Sequence, residues 1–395
     1  MVVLRTSRRE KRALCNSAQF AGSSRERLSI CPPSAVRWRV RARDLASISS
    51  SEERFQHIMS AWLLGLVLSS TTAPQHLVVL QHGLYGSTQN MVVLQQQLQT
   101  LGGGKIIAHL ASSNDGLRTR DGVEQGGRRL AEEIRQVQRA YPSLKTLSLV
   151  GNSLGGLYVR VAAAELLDSC PLEPRVLVTT GAPHLGVRRF TYLPLPSWLY
   201  PAAPLVAGQT ADDLLLRDDA DGSTLPLLVR MAQPDSAYGA ALRRFRKRRL
   251  YANLVGDFMV PFGTAAIEGG EYGAGIGDGR LARRFVNRPD ASYRDESVCK
   301  GEASGVGVIC EQRAAIAGGE AGDYEEMMRS GLSTVSWEKV GVGFKGATTF
   351  TPLAHNKLPA LRREGWRRAF EWVEKAYEGT GVMEHCARFI VEGLD

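Results

Sequence analysis

LSLVGNSLGGLYVRVAAAELL, residues 147–167, is an apolar run that meets Gly151-Asn152-Ser153-Leu154-Gly155 and then continues with apolar residues at helical spacing. A serine between two glycines, where a strand gives way to a helix, fits the pattern G-x-S-x-G. Such an elbow forces its central residue into a strained backbone conformation. The flanking glycines let the turn close, and the hydroxyl is pushed out at the carboxyl edge of the sheet. The N–H of Leu154 faces the same spot, at the positive end of the new helix. Carbonyl chemistry needs both a nucleophile and donors where negative charge will develop. Ser153 is therefore the candidate nucleophile and Leu154 a candidate oxyanion donor.

On either side of the elbow, strand and helix patterns alternate. HLVVLQHG (76–83) reads as a buried strand ending in a glycine turn, KIIAHLASS (105–113) as a second strand, KTLSLVG (145–151) as a third and RVLVTTGAP (175–183) as a fourth. Between them, NMVVLQQQLQTLG and the charged stretch 122–141 have helical spacing. RRLYANLVGDFMVP (248–261) resumes strand character, another strand is expected near 333–345, and helices follow Lys357. Alternation of this kind predicts βαβ units and an α/β fold: a mostly parallel central sheet flanked by helices.

Two stretches break the rhythm. Residues 187–245 begin rich in proline and aromatics and read as a cap or lid insertion. Tyr192, Trp198, Leu199 and Tyr200 either bind acyl chains and touch a membrane, or pack on the sheet edge. Residues 263–322 contain 13 glycines and little periodicity, and read as a long Gly-rich loop or insertion.

An elbow serine needs an oxyanion loop, an acid and a base. The first strand ends in His82-Gly83-Leu84-Tyr85-Gly86, on the loop where an N–H from Leu84 would face a substrate carbonyl. His82 there reads as a structural histidine that holds the loop. The acid and the histidine follow the serine in that order. Asp257 stands just past an apolar run and before Val260-Pro261, whereas Asp212, Asp213, Asp218, Asp219 and Asp221 lie in polar, turn-like sequence and read as solvated surface. After Asp257 only His355 and His385 remain. His355, in LAHNKL, is expected on a loop between a strand and a helix; His385 lies in the terminal helix. The candidate triad is Ser153, Asp257 and His355. Tyr85, Trp198 and Leu199 are candidate substrate contacts.

The blocks HLVVLQHGLYGS, LVGNSLGGLYVR, TTGAPHLGVRR, ADDLLLRDDADGSTLPLLVRMA with ALRRFRKRRLYANLVGDFMVP, and LAHNKL resemble, in order and local wording, the serine esterase and lipase-like family of α/β-hydrolases, in its plant and algal branch. The resemblance covers roughly residues 76–262 and 330–360. It implies the α/β-hydrolase fold, hydrolysis of lipid acyl esters including phospholipids, and a triad on Ser153, Asp257 and His355. The resemblance implies no metal and no organic cofactor. The alternatives are an acyltransferase, an esterase on small soluble esters, or a non-catalytic binding module.

Bulk composition bounds the rest. The 395 residues are 44% hydrophobic, enough for a sizeable core. Residues 1–50 carry 11 Arg and Lys against 3 Asp and Glu, so nearly all of the net charge of +9 sits there. The rest of the chain is close to neutral, and its sequence shows no basic surface for nucleic acid. The segment 1–75 is an Arg- and Ser-rich extension that reads as an organellar transit segment, a disordered basic tail, or sequence upstream of a start at Met59. The apolar run 61–68 is too short for the ~20 residues a bilayer requires. Six scattered cysteines, none in a CxxC or CxxH, are those of an intracellular enzyme, cytoplasmic or organellar. Cys299 and Cys310 would pair only in an oxidising compartment. The run 243–249, Arg-Arg-Phe-Arg-Lys-Arg-Arg, reads either as a contact for anionic lipid headgroups, giving a peripheral membrane or lipid-droplet contact, or as a solvated helix face.

Overall fold

The computed structural model describes residues 73–188, 205, 207–218, 224–253, 257, 259–268, 308–313, 324–343, 354–361 and 379–394. The extension 1–72, Trp198, Leu199 and Cys299 lie outside the described residues. In chain order the strands are β1 (His76–Gln81), β2 (Ile106–Leu110), β3 (Thr146–Asn152), β4 (Glu173–Thr180), β5 (Lys247–Asn253), β6 (Val308–Arg313) and β7 (Glu338–Gly343). The described α-helices are α1 (Val92–Gly102), α2 (Val123–Ala140), α3 (Gly155–Leu166), α4 (Gln209–Leu214), α5 (Leu227–Ala232), α6 (Ala237–Arg244), α7 (Phe262–Ala265), α8 (Tyr324–Leu332), α9 (Ala354–Lys357) and α10 (Thr380–Glu392).

The strands form one sheet in the order β2-β1-β3-β4-β5-β7-β6, with β6 antiparallel to β7 and every other pairing parallel. Helices cover both faces, so the strands are apolar in both directions rather than alternating with polar residues. Leu77, Val79, Leu147, Leu149, Leu177 and Leu250 enter the core shared with α2, α3, α5 and α6. Val78, Leu80, Val150, Val176, Val178 and Tyr251 enter the core shared with α1 and α10. α2 lies close on α3 because two of its residues lack side chains. A Cβ on Gly126 would fall 2.3 Å from the Tyr158 ring, and one on Gly127 2.3 Å from Val161.

From β1 the chain moves outward to β2, then returns past β1 to β3 and continues the other way. The loops after β1 and β3 therefore part at a topological switch point, where open α/β sheets form their crevice. The elbow and the His82 loop sit there. This is the α/β-hydrolase fold.

Three local expectations are corrected. The region 263–322 is not loop throughout: it contains α7 in part and β6, an edge strand held by its pairing to β7. Asp213 is buried rather than solvated, because its Oδ2 accepts the Val123 N–H at 2.6 Å and caps α2. Asp218 likewise accepts the Leu227 N–H, at 2.7 Å. The run 243–249 is no helix face: it spans the end of α6 and the start of β5, at the sheet edge opposite the elbow. Arg246 pairs with Glu173 at 2.7 Å and Arg249 with Glu338 at 2.6 Å.

Candidate active site

β3 ends at Asn152 and α3 begins at Gly155, so Ser153 occupies the elbow between them. Its φ of 54° lies in the left-handed region, which costs a residue with a Cβ free energy and persists only where neighbours enforce it. Here they do. The Ser153 N–H donates to the Thr180 carbonyl at 2.8 Å, and the Thr180 hydroxyl donates to Asn152 Oδ1 at 2.9 Å. The flanking glycines are required by contact. A Cβ on Gly151 would lie 2.3 Å from the Gly155 carbonyl oxygen, and one on Gly155 2.5 Å from the carbonyl oxygens of both Gln81 and His82.

The loop after β1 closes on the serine from the other side. Gln81 is in register with Gly151, which carries Gly83 up to Ser153. A Cβ on Gly83 would stand 2.7 Å from Ser153 Cβ and 3.1 Å from its Oγ, so this approach is open only to glycine. His82 is fully buried, with Nδ1 3.0 Å from the Gly83 carbonyl and Nε2 2.9 Å from Asp115 Oδ1, as expected of a histidine that holds the loop. Among the described residues, neither the Leu84 N–H nor the Leu154 N–H has a protein acceptor. Tyr85 has a φ of 53° and is 39% exposed.

Asp257 is buried on the loop after β5 and accepts four hydrogen bonds. The N–H groups of Met259 and Val260 donate to Oδ1 at 3.1 and 2.8 Å. Asn253 Nδ2 donates to Oδ2 at 2.7 Å, and His355 Nδ1 lies 2.8 Å from the same oxygen. His355 stands within the one-turn helix α9 rather than on a loop. Burial by itself presses its imidazolium pKa down; the charge and hydrogen bond of Asp257 outweigh that and raise it above the ordinary histidine value. The ring lies over Gly181, where a Cβ would be 3.3 Å from His355 Cε1. Asn152 is in register with Thr180, so Ser153 and Gly181 are neighbours across adjacent parallel strands, which run ~4.8 Å apart.

The structure thus joins Asp257 to His355 directly and sets Ser153 beside the glycine that underlies the ring. Ser153 Oγ makes no hydrogen bond among the described residues, and catalytic contacts commonly tighten only with substrate present. His385 is elsewhere, on α10, with Nδ1 2.9 Å from the Tyr251 hydroxyl. Asn253 was not singled out from the sequence; its position four residues before Asp257 was the available signal. Thr264 also escaped notice. Its Oγ1 accepts the Leu185 N–H at 2.9 Å and donates to the Gly186 carbonyl at 2.8 Å, tying the loop after β4 to the one that carries the acid.

Comparison with known proteins adds a family. The model described as "Putative serine esterase (DUF676)" matches residues 71–268, half of the chain. The chain belongs to this family. Among curated relatives, "Putative lipase ROG1" of Saccharomyces cerevisiae is 31% identical over 53% of this chain and 31% of its own length. "Putative lipase C4A8.10" of Schizosaccharomyces pombe is 29% identical over 49% of this chain and 26% of its own. The chain thus matches about a third or less of the length of these relatives. Among solved structures, lipase BlEst2 of Bacillus licheniformis in its propeptide form aligns with a TM-score of 0.34 and 17% identity, covering 47% of this chain and 37% of that one. Phospholipase PlaB of Legionella pneumophila aligns with a TM-score of 0.31 and 18% identity, over 48% and 41%.

Proposed function

We propose that this serine esterase family member hydrolyses lipid acyl esters through Ser153, His355 and Asp257. The observation that carries the reading is the buried 2.8 Å contact between His355 Nδ1 and Asp257 Oδ2, with the imidazole lying over Gly181 beside the elbow serine. His355 Nε2 takes the Ser153 proton as Oγ attacks the acyl carbonyl. The developing oxyanion is met by the N–H groups of Leu84 and Leu154, the second at the N-terminus of α3. Collapse expels the alcohol, which takes its proton from the His355 imidazolium. Water then attacks the acyl-Ser153 ester by the same route and releases the carboxylic acid. Asp257 orients the ring through Nδ1 and stabilises its charge.

The lipid assignment rests on chemistry at the same sheet edge. Tyr85, Leu117 and Met259, on the loops after β1, β2 and β5, are large apolar side chains left 39%, 69% and 41% exposed, and they flank the elbow strand. Apolar surface in that place favours an apolar acyl chain. The curated relatives also carry the name "Putative lipase". Comparing turnover of p-nitrophenyl butyrate with that of phospholipid vesicles and triacylglycerol emulsions, in wild type and Ser153→Ala, tests the reading. The expected result is preference for the lipid aggregates and loss of all turnover in Ser153→Ala. Preference for the monomeric short ester would reject the lipid substrate; turnover intact in Ser153→Ala would reject the mechanism.

A further inference from the structure

Thr119 sits in a single 3-10 turn, residues Gly116–Arg120, and is fully buried. It has no place in the triad, yet three parts of the site converge on it. Its Oγ1 accepts the Tyr85 N–H at 3.0 Å and donates to the Gly116 carbonyl at 2.7 Å. Its own carbonyl accepts the Tyr158 hydroxyl at 3.1 Å and the Thr210 hydroxyl at 2.6 Å. Tyr158 belongs to α3, the helix that starts at the elbow, and Thr210 to α4. Thr210 Oγ1 in turn accepts the Gly122 N–H at 3.0 Å, and the Gly116 N–H donates to the Gly86 carbonyl at 2.9 Å.

The consequence falls on the loop after β1. Tyr85 is held at positive φ, a conformation that a residue with a Cβ leaves unless something retains it. The turn bond from the Gly86 N–H to the Gly83 carbonyl at 3.0 Å closes the loop around it, and the bond from its own N–H to the Thr119 hydroxyl ties it to the rest of the fold. That bond fixes the peptide joining Leu84 to Tyr85, and with it the direction of the preceding peptide, whose N–H belongs to Leu84. Thr119 is itself pinned through its carbonyl to the elbow helix and to α4. The donor loop is thereby referenced to the same helix that positions the serine.

We infer that Thr119 is a positioning residue for the oxyanion donors: its hydroxyl holds the Leu84 N–H on the carbonyl that Ser153 attacks. The inference rests on the esterase reading above. Because the oxyanion forms only as the reaction proceeds, a displaced donor lowers kcat and leaves KM in place. Loss of a whole donor costs about 10²–10³ in kcat, and displacing one is expected to cost about 10–100-fold.

The test measures kcat and KM on p-nitrophenyl butyrate for wild type, Thr119→Val and Thr119→Ser. Each kcat is expressed per Ser153 that a fluorophosphonate labels at completion, so that misfolded protein does not count. Thr119→Val, which keeps the shape and removes the hydroxyl, is expected to lose about 10–100-fold in kcat with KM within about twofold. Thr119→Ser, which keeps the hydroxyl, is expected to restore most of it. If Thr119→Val does not fold, Thr119→Ala carries the same expectation. Normal kcat without the hydroxyl overturns the inference, as does an equal loss in Thr119→Ser. A wild type that neither turns over ester nor labels at Ser153 rejects the esterase reading, and the inference falls with it.

Discussion

Replacing Asp257 by Asn removes one charge and changes almost no volume, and the structure dictates how the amide must sit. Two backbone N–H groups, of Met259 and Val260, point at Oδ1, so the amide oxygen belongs there. The NH2 group then faces His355 Nδ1 and Asn253. The Asn253 Oδ1 is buried with no hydrogen-bond partner among the described residues, so that side chain can turn over and accept the new donor. The fold is accommodated while the histidine is not. The new amide donates to Nδ1, which puts the imidazole proton on Nε2, the nitrogen that must take the proton of Ser153. A triad with its base locked in the wrong tautomer loses about 10⁴ in kcat, equivalent to about 5.4 kcal/mol of barrier at 1.36 kcal/mol per factor of ten. Exchanging charge-assisted bonds for neutral ones costs about 1–2 kcal/mol of stability, a fall of about 2–8 °C in Tm for a domain of this size. Stopped assays of ester turnover alongside thermal melts measure both quantities. Asp257→Asn retaining more than a tenth of wild-type kcat in a folded protein would refute the reasoning.

The remaining predictions follow from the same contacts. The pKa of His355 is raised, so the acid limb of the kcat/KM profile is expected above the ordinary histidine value of about 6.5; a limb at or below that value contradicts the coupling to Asp257. The same shift acts on stability with the opposite sign. A group whose pKa is raised on folding contributes stability that is fully present below the unfolded pKa and lost as pH rises through the folded one, so the His355–Asp257 contribution shrinks over the pH range where activity appears. His355→Ala is expected to abolish turnover and His385→Ala to leave it near wild type; the reverse result reassigns the base. Gly155→Ala gains about 1 kcal/mol of helix propensity, yet forces a Cβ to 2.5 Å from two backbone carbonyl oxygens. Overpacking at about 1–3 kcal/mol is expected to lower Tm and displace the loop after β1; an unchanged Tm with full activity would show that the elbow tolerates a side chain there.

The parallel part of the sheet was legible because its inner strands β1, β3 and β4 are largely buried on both faces and read as apolar runs between turns. β6 was not. VICEQR lies in Gly-rich sequence, and its strand character comes from pairing with β7, a partner distant in sequence. β5 was legible from the apolar residues that precede Asp257, and the described strand runs to Asn253. Asp213 was misread because its acidic, turn-rich neighbours say nothing of a helix N-terminus 90 residues earlier in the chain. For the site, the order serine, acid, histidine and the local context of each residue were enough to choose Ser153, Asp257 and His355. What sequence spacing does not carry is convergence between loops. Asn253 on Asp257, Thr180 on the elbow and Thr119 on the loop after β1 each depend on backbone brought together only by the folded sheet.

The central claim is that the elbow hydroxyl is made nucleophilic by the His355–Asp257 pair. Treatment with a fluorophosphonate, followed by peptide mapping by mass, tests it most directly. The account predicts one phosphonyl adduct per chain, on Ser153, with labelling strongly slowed in His355→Ala. No adduct, or an adduct on a different residue at the wild-type rate, would contradict it.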